Sequence, residues 1–176
     1  MSDAYLARGE RVAVRLLERS DREAFTGGAR RNAELHRPWL FPAATDAAFD
    51  TYLDRLEEPP REGFAICLAD TGELAGFCTV NNIVQGAFQC GAIGYGCFLP
   101  GRGLVTEGVG LVVRHAFGPM GLHRLEANIQ PGNAASIALA ERLGFRLEGL
   151  SPDFLLIDGG WRDHQRWAIT AEMVRG

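Results

Sequence analysis

The stretch from Gln89 to Phe117 does most to limit what this chain can become. Gln89 to Leu99 is strand-like and rich in small residues, Pro100-Gly101-Arg102-Gly103 is a turn, and a helix is predicted from about Leu104 to Phe117. Val105, Val109, Val112 and Ala116 recur at i, i+4, i+7 and i+11, which gives that helix one apolar face. Gly118-Pro119 stops it. A strand, a glycine turn and a one-faced helix, in that order, imply a sheet with helices packed upon it.

The flanking segments extend the pattern. Arg11 to Leu17 alternates Val12, Val14 and Leu16 and reads as a strand. Ser20 and Glu23 have capping-box spacing, so a helix is predicted from Asp21 to about Ala33. Pro38 to Pro42 is an apolar loop. Thr45 or Asp46 caps a second helix through about Leu56, ended by Pro59-Pro60. Phe64 to Ala69 and Leu74 to Asn81 form a hairpin about the Asp70-Thr71-Gly72-Glu73 turn. Leu122 to Gln130 is a strand, Asn133 caps a short helix ending at Gly144, and Phe145 to Gly149 and Trp161 to Ala171 are the last strands, joined through Pro152 to Gly160. Runs of strands that suit antiparallel pairing indicate an α+β fold rather than a doubly wound parallel sheet. With 176 residues and no repeat or linker, one domain over 1–176 is expected.

Charge and cysteine usage narrow the function. The net charge is −4, which disfavours a nucleic-acid partner; that all 18 basic residues are arginine reads as a compositional bias and not as a functional device. No apolar run has the length of a membrane span, and the charged start lacks a signal-peptide core, so a cytoplasmic protein without membrane association is expected. Cys67, Cys78, Cys90 and Cys97 form no CxxC pair and have no histidine at ligand spacing; they read as small core residues, and no metal is expected.

Two constellations carry chemistry. The first N–H groups of a helix lack partners and sit at the positive end of its dipole, so the turn at Gly101-Arg102-Gly103 suits a pyrophosphate. It is no Walker loop, for it has no Lys followed by Ser or Thr, and Thr106 stands where a dinucleotide fingerprint needs its third glycine. Further on, Asn133 and Ser136 share one face at a helix start, either as a plain N-cap with a solvent serine or as part of a site.

Together these segments resemble the acyl-CoA motifs of the GNAT superfamily of N-acyltransferases, in its RimJ/RimL branch, which acetylates N-terminal amines of ribosomal proteins. The resemblance rests on Gly94-Tyr95, on Gly101 to Glu107, on His123 to Ala127, on Asn133 to Ser136 with Leu143-Gly144-Phe145, on Asn32-Ala33-Glu34 with Pro38-Trp39-Leu40, and on Asp158 to Asp163. It covers nearly the whole chain in order. It implies a GNAT fold, with a splayed, mostly antiparallel mixed sheet of about six to seven strands and four helices. It implies acetyl-CoA or another acyl-CoA as co-substrate, with the pantetheine arm pairing near Phe98 and Leu99. The pyrophosphate would be held by Gly101, Arg102, Gly103, Leu104, Val105 and Thr106, and Asn133 would meet the arm. The acceptor would be an amine, either a protein N-terminus or a small molecule, and a homodimer is possible. Rival readings are a sensor that binds acyl-CoA without turnover and an enzyme acting on a nucleoside phosphate.

The chain departs from the pattern at Pro100, which has no N–H to donate, at Val105, which is bulkier than the usual small residue, and at Ala140, where many relatives place a proton-donating tyrosine. By resemblance Ser136 takes over as donor to the leaving sulfur. Glu126, which alternates with Leu125 and Ala127 and so faces either solvent or the cleft, is the candidate base, while Glu107, Asp153, Asp163 and His164 are each equally compatible with structural roles, and a positioned water with no dedicated base is the alternative. Trp39, Phe41 and Tyr52 read as acceptor-pocket lining or as core.

Overall fold

The strand Glu62–Leu68 (β3) shows how the chain is layered, in a computed structural model that describes residues 5–175. Phe64, Ile66 and Leu68 enter one apolar cluster, and Ala65 and Cys67 enter another. A strand buried on both faces lies inside a sheet covered on both sides. The other strands are β1 (Tyr5–Arg8), β2 (Val12–Leu16), β4 (Leu74–Val84), β5 (Cys90–Cys97), β6 (Arg124–Ile129), β7 (Arg146–Ile157) and β8 (Gly160–Thr170). They form one sheet in the order β1-β2-β3-β4-β5-β6-β8-β7. Every neighbouring pair is antiparallel except β5 with β6.

The helices are α1 (Arg22–Arg31), α2 (Ala33–His36), α3 (Asp46–Glu57), α4 (Leu104–Phe117), α5 (Ala134–Arg142) and α6 (Ala171–Arg175). α4 occupies one face of the sheet. Its predicted stripe, Val105, Val109, Val112 and Ala116, is buried together with Val12, Ile66 and Leu125. Gly108 lets it come close: a Cβ there would lie 2.5 Å from Ile66 Cγ2. The other face is covered by α1 and α3, where Phe25, Phe49, Phe77 and Phe98 form a ring cluster with centroids about 5 Å apart. Among the described residues, no helix is long and apolar enough to cross a membrane.

The α+β, splayed and mostly antiparallel expectation holds, with eight strands and six helices among the described residues instead of seven and four. The added strand, β1, is four residues long with Leu6 exposed, too short to show a period. The first predicted helix divides. A 3-10 turn, Arg19–Asp21, precedes α1, and the cap lies two residues upstream of the expected one: Glu18 N–H donates to Asp21 Oδ2 at 2.9 Å, while Ser20 only donates to Glu18. Asp21 is buried and also accepts two bonds from Arg15, which fixes the helix start on β2. Asn32 interrupts the helix, its Nδ2 donating to Gly28 O and to Phe98 O. Thr45 caps α3, accepting from Ala48 N–H. The segment from Pro152, read as a connection, continues β7 through a bulge between Ser151 and Leu155, and Asp158-Gly159, both at positive φ, makes the tight turn into β8. The four cysteines are free, and burial pushes each thiol up from its ordinary range, as core residues require.

Gly108→Val tests the contact of α4 with the sheet. Overpacking against Ile66 is expected to cost about 1–3 kcal/mol, read as a lower urea midpoint at an unchanged slope.

Candidate active site

β5 and β6 pair only over Cys90–Ala92 and Arg124–Glu126. Beyond them the strands part: Ile93 to Cys97 stays with β4, and Ala127 to Ile129 with β8. The wedge opens towards the C-terminal ends of the two parallel strands, where α/β sheets commonly bind ligands. Three spaces meet there. A cleft of about 300 Å³ lies on the α4 face, between Leu99 to Thr106 on one side and Asn133, Ser136 and Arg142 on the other. A notch of about 120 Å³ occupies the wedge itself, with Trp39, Tyr95, Asn128 and His164 in its walls. A third space of about 720 Å³ lies on the α1–α3 face, bounded by Phe41, Tyr52, Arg55, Asn81 and Leu155. Tyr95 borders all three.

The cleft is built around the start of α4. Gly101 and Gly103 take φ of 82° and 67°, a region that side chains disfavour, and Gly103 is the N-cap. The turn therefore delivers the unpaired N–H groups of Leu104, Val105 and Thr106 to the cleft. Arg11, at the head of β2, holds the turn from outside. Its Nη1 donates to Arg102 O at 2.7 Å, its Nη2 to Gly103 O at 3.4 Å, and its Nε to Glu107 Oε2 at 2.8 Å. Glu107 Oε1 accepts the N–H groups of Arg11 and Val12. Burial alone would raise the Glu107 pKa, but those donors and the guanidinium outweigh it and hold the carboxyl below its ordinary range. Glu107 therefore braces the turn and does not reach the cleft. Among the described residues, none that borders the three spaces is Asp or Glu, and Arg142 adds a positive charge, so the cleft suits an anion.

On the far wall, Asn133 Oδ1 caps α5 by accepting from Ser136 N–H at 3.3 Å, which leaves its Nδ2 to donate into the site. The cap reading of Asn133 holds, and the residue also borders the cleft. Ser136 Oγ lies 2.7 Å from the Tyr95 hydroxyl. Burial pushes the Tyr95 phenol up to about 12, against a smaller opposing effect of Ser136, so it stays protonated and can donate. Trp39 closes the wedge from above: a Cβ on Gly132 would lie 2.9 Å from its ring. His36 ties α2 to the end of β5, its Nε2–H donating to Cys97 O at 2.9 Å.

Of the residues singled out from sequence, Leu99, Gly101, Gly103, Leu104, Val105, Thr106, Asn133 and Ser136 come together around the cleft. Phe98 does not. Its ring is 2 % exposed and packs edge-on against Phe25 in the opposite core. Its N–H and that of Leu99 both donate to Ala75 O, and its carbonyl accepts from Asn32, so both backbone groups of Phe98 are engaged within the protein. Arg102 is exposed outside the cleft wall and contributes its carbonyl to the Arg11 clamp. Glu126 is also elsewhere: one oxygen accepts from Arg124 Nε at 3.0 Å and the other from Arg166 Nη2 at 2.8 Å, within a network that includes Glu148 and Arg146. A carboxylate shared between two guanidiniums and outside the notch is placed to join β6 to β8, not to take a proton from substrate. Sequence reasoning misses Arg11 and the hydroxyl of Tyr95. Tyr95 can be found from its place in a strand that ends at the glycine turn, but Arg11 gives no local signal.

Two measurements check this construction. A Cβ at Gly101 meets nothing within 4 Å. Gly101→Asn, tolerated at positive φ, is expected to keep most acyl-CoA affinity, whereas Gly101→Asp should weaken it by about tenfold or more through charge alone; equal calorimetric affinities would displace the anion from this turn. Glu107→Gln should lose about 1–2 kcal/mol of stability at pH 7. Because the folded pKa is depressed, this difference is full above the free value of about 4.3 and vanishes as pH falls through the folded one. Urea titrations of both proteins across that range measure it.

Comparison with known proteins agrees with this geometry. Residues 11–146 match the family model described as the acetyltransferase (GNAT) domain. The chain is 34 % identical to a probable N-acetyltransferase, YjcK, of Bacillus subtilis, covering 93 % of this chain and 96 % of that one. It is 31 % identical to the ribosomal protein uS5-alanine N-acetyltransferase of Escherichia coli, over 92 % and 88 %. Among solved structures, Mycobacterium smegmatis RimJ in complex with CoA-disulfide superposes with a TM-score of 0.85 at 29 % identity, over 94 % and 84 % of the two chains. The chain belongs to the GNAT acetyltransferases, in their RimJ/RimL branch, and is an enzyme that moves an acyl group from acyl-CoA to an amine.

Proposed function

We propose that the chain, acting as one domain, transfers acetyl from acetyl-CoA to the N-terminal amine of a protein or peptide by direct attack in a ternary complex. The observation that carries this reading is the meeting of three spaces at one notch. The cleft on the α4 face takes the cofactor, the larger space on the opposite face takes the acceptor, and the notch lets the two touch. Reaction across the sheet needs no covalent enzyme intermediate.

Each part has a physical role. Leu104, Val105 and Thr106 N–H groups hold the pyrophosphate. Leu99 and Asn133 Nδ2 face the pantetheine arm. An N–H on the open edge of β5 polarises the thioester carbonyl. Ser136 donates to the departing sulfur, and the Tyr95 hydroxyl at 2.7 Å orients it. Glu126 stays out of the chemistry.

The acceptor space supports a neutral amine body. Among the described residues, Arg55 is the only formal charge on its walls, which offer amides and hydroxyls at Thr79, Asn81, Asn82 and Asn128. A polyamine would find no carboxylate there for its second ammonium. The names of the relatives point the same way. A homodimer fits the apolar residues Leu150, Leu156 and Trp161, all more than half exposed on the β7–β8 hairpin.

Thiol release from acetyl-CoA across a panel of amines tests the reading. Peptides beginning with Ala or Ser should turn over with kcat/KM about tenfold or more above spermidine. Turnover with spermidine alone would refute the acceptor class, and acetyl-CoA binding without any release would favour the sensor. Ser136→Ala and Tyr95→Phe should each lower kcat by about 10–100-fold, the worth of a hydrogen bond to a developing charge, with the double variant scarcely worse than either.

A further inference from the structure

Among the described residues no carboxylate borders the three spaces, and Glu126 is occupied by two arginines, yet the attacking nitrogen must lose a proton. The wall of the notch holds a titratable side chain on the acceptor side that has no part in cofactor binding or sulfur protonation. It is His164, on β8.

Strand alternation gives its direction. Trp167 and Ile169 enter the core under α4, so His164, Arg166 and Ala168 face the other side of the sheet. Arg166 confirms this, since it donates to Asn128, which borders both the notch and the acceptor space. His164 is 3 % exposed. Its Nδ1–H donates to Arg162 O at 2.9 Å, and because a carbonyl can only accept, the tautomer is fixed. In the neutral imidazole the lone pair therefore sits on Nε2, for which the described residues provide no hydrogen-bond donor, and the side chain borders the notch. The Phe154 ring, 6.1 Å away, flanks the imidazole. A buried histidine held by one nitrogen and bare at the other, in the wall of a reaction space, has the geometry of a proton acceptor.

We propose that His164 is the general base of the transfer, an assignment that rests on the ternary-complex reading. The neutral amine attacks the thioester carbon, forming the N–C bond. His164 Nε2 takes the proton that the new nitrogen–carbon bond makes acidic, and the C–S bond breaks. The sulfur leaves as a thiolate hydrogen-bonded by Ser136. The imidazolium then returns its proton to water, and the thiolate takes one from water, so the enzyme ends as it began. Base and sulfur donor thus stand on opposite faces of the sheet: His164 with the acceptor, Ser136 and Tyr95 with the cofactor.

The test uses the full chain, acetyl-CoA and the best peptide from the amine panel. His164→Gln and His164→Ala should each lower kcat by about 10²–10⁴-fold while acetyl-CoA affinity, measured by calorimetry, stays near that of the parent. Added imidazole should restore rate to His164→Ala, which leaves a space, and not to His164→Gln, which fills it. A His164→Gln enzyme with parental kcat overturns the assignment. So does a rate loss in His164→Ala that imidazole does not recover, which is the result for a residue that only supports the sheet. If the parent binds acetyl-CoA and releases no thiol with any amine, the transferase reading itself falls, and that outcome is visible before any variant is made.

Discussion

A parallel strand pair that parts after three residues leaves two rows of backbone N–H and C=O groups facing across a gap. Such groups are expensive to bury without partners. A loop of the protein could fill the gap, or it could remain open to a molecule with amides of its own. Here it is open, and the turn to α4 and the start of α5 stand at its mouth. A pantetheine arm, with amide groups along an extended chain, meets the same requirement that a neighbouring strand would. On the proposed mechanism the unmet edge of β5 is both the cost of the fold and the place where the cofactor arm would pair.

That edge works only if the helix above it is held still. Arg11 and Glu107 are separated by 96 positions, yet they bind each other and the turn through four hydrogen bonds, and Val12 N–H adds a fifth to Glu107. They anchor the helix start to β2, on the side away from the cleft. Their charges are spent on one another, so they brace the anion site without placing a carboxylate beside it. Gly108 completes the arrangement by letting the helix axis settle onto Ile66. One small residue and one ion pair fix where the N–H groups of Leu104 to Thr106 point.

What is legible in the sequence follows from short-range rules. The period of α4 and the Thr45 and Asn133 caps are local, and each is as expected, whereas the alternation of β2 holds at Val12 and Val14 and fails at Leu16, which is 51 % exposed beyond the reach of the core. The misses share a cause in long-range pairing. Phe98 precedes the glycine turn, and that position alone suggests the cofactor. Its side chain turns the other way because Phe25 and Phe77 provide a ring cluster there, and no local pattern displays that cluster. Alternation shows that Glu126 faces away from Leu125 but cannot show that Arg166, 40 positions on, claims it. The helix cap moves from Ser20 upstream to Glu18, whose N–H meets Asp21, because Arg15, on another element, holds that carboxylate. β7 runs on through Pro152 because its partner strand carries it past the bulge.

The alanine at 140 shows how a site can keep its chemistry while losing a familiar residue. Ala140 is 1 % exposed and sits in the core under α5, so a tyrosine there would have to displace its neighbours. The phenol is supplied instead by Tyr95, which rises from β5 on the other side of the cleft. It lies 2.7 Å from the hydroxyl of Ser136, one turn before Ala140 on α5. In a hydroxyl pair of this kind the serine borders the cleft, and the buried tyrosine can fix its rotor without ionising. On the proposed mechanism, donor function would follow from where the wedge places an oxygen, and not from which helix position carries a tyrosine.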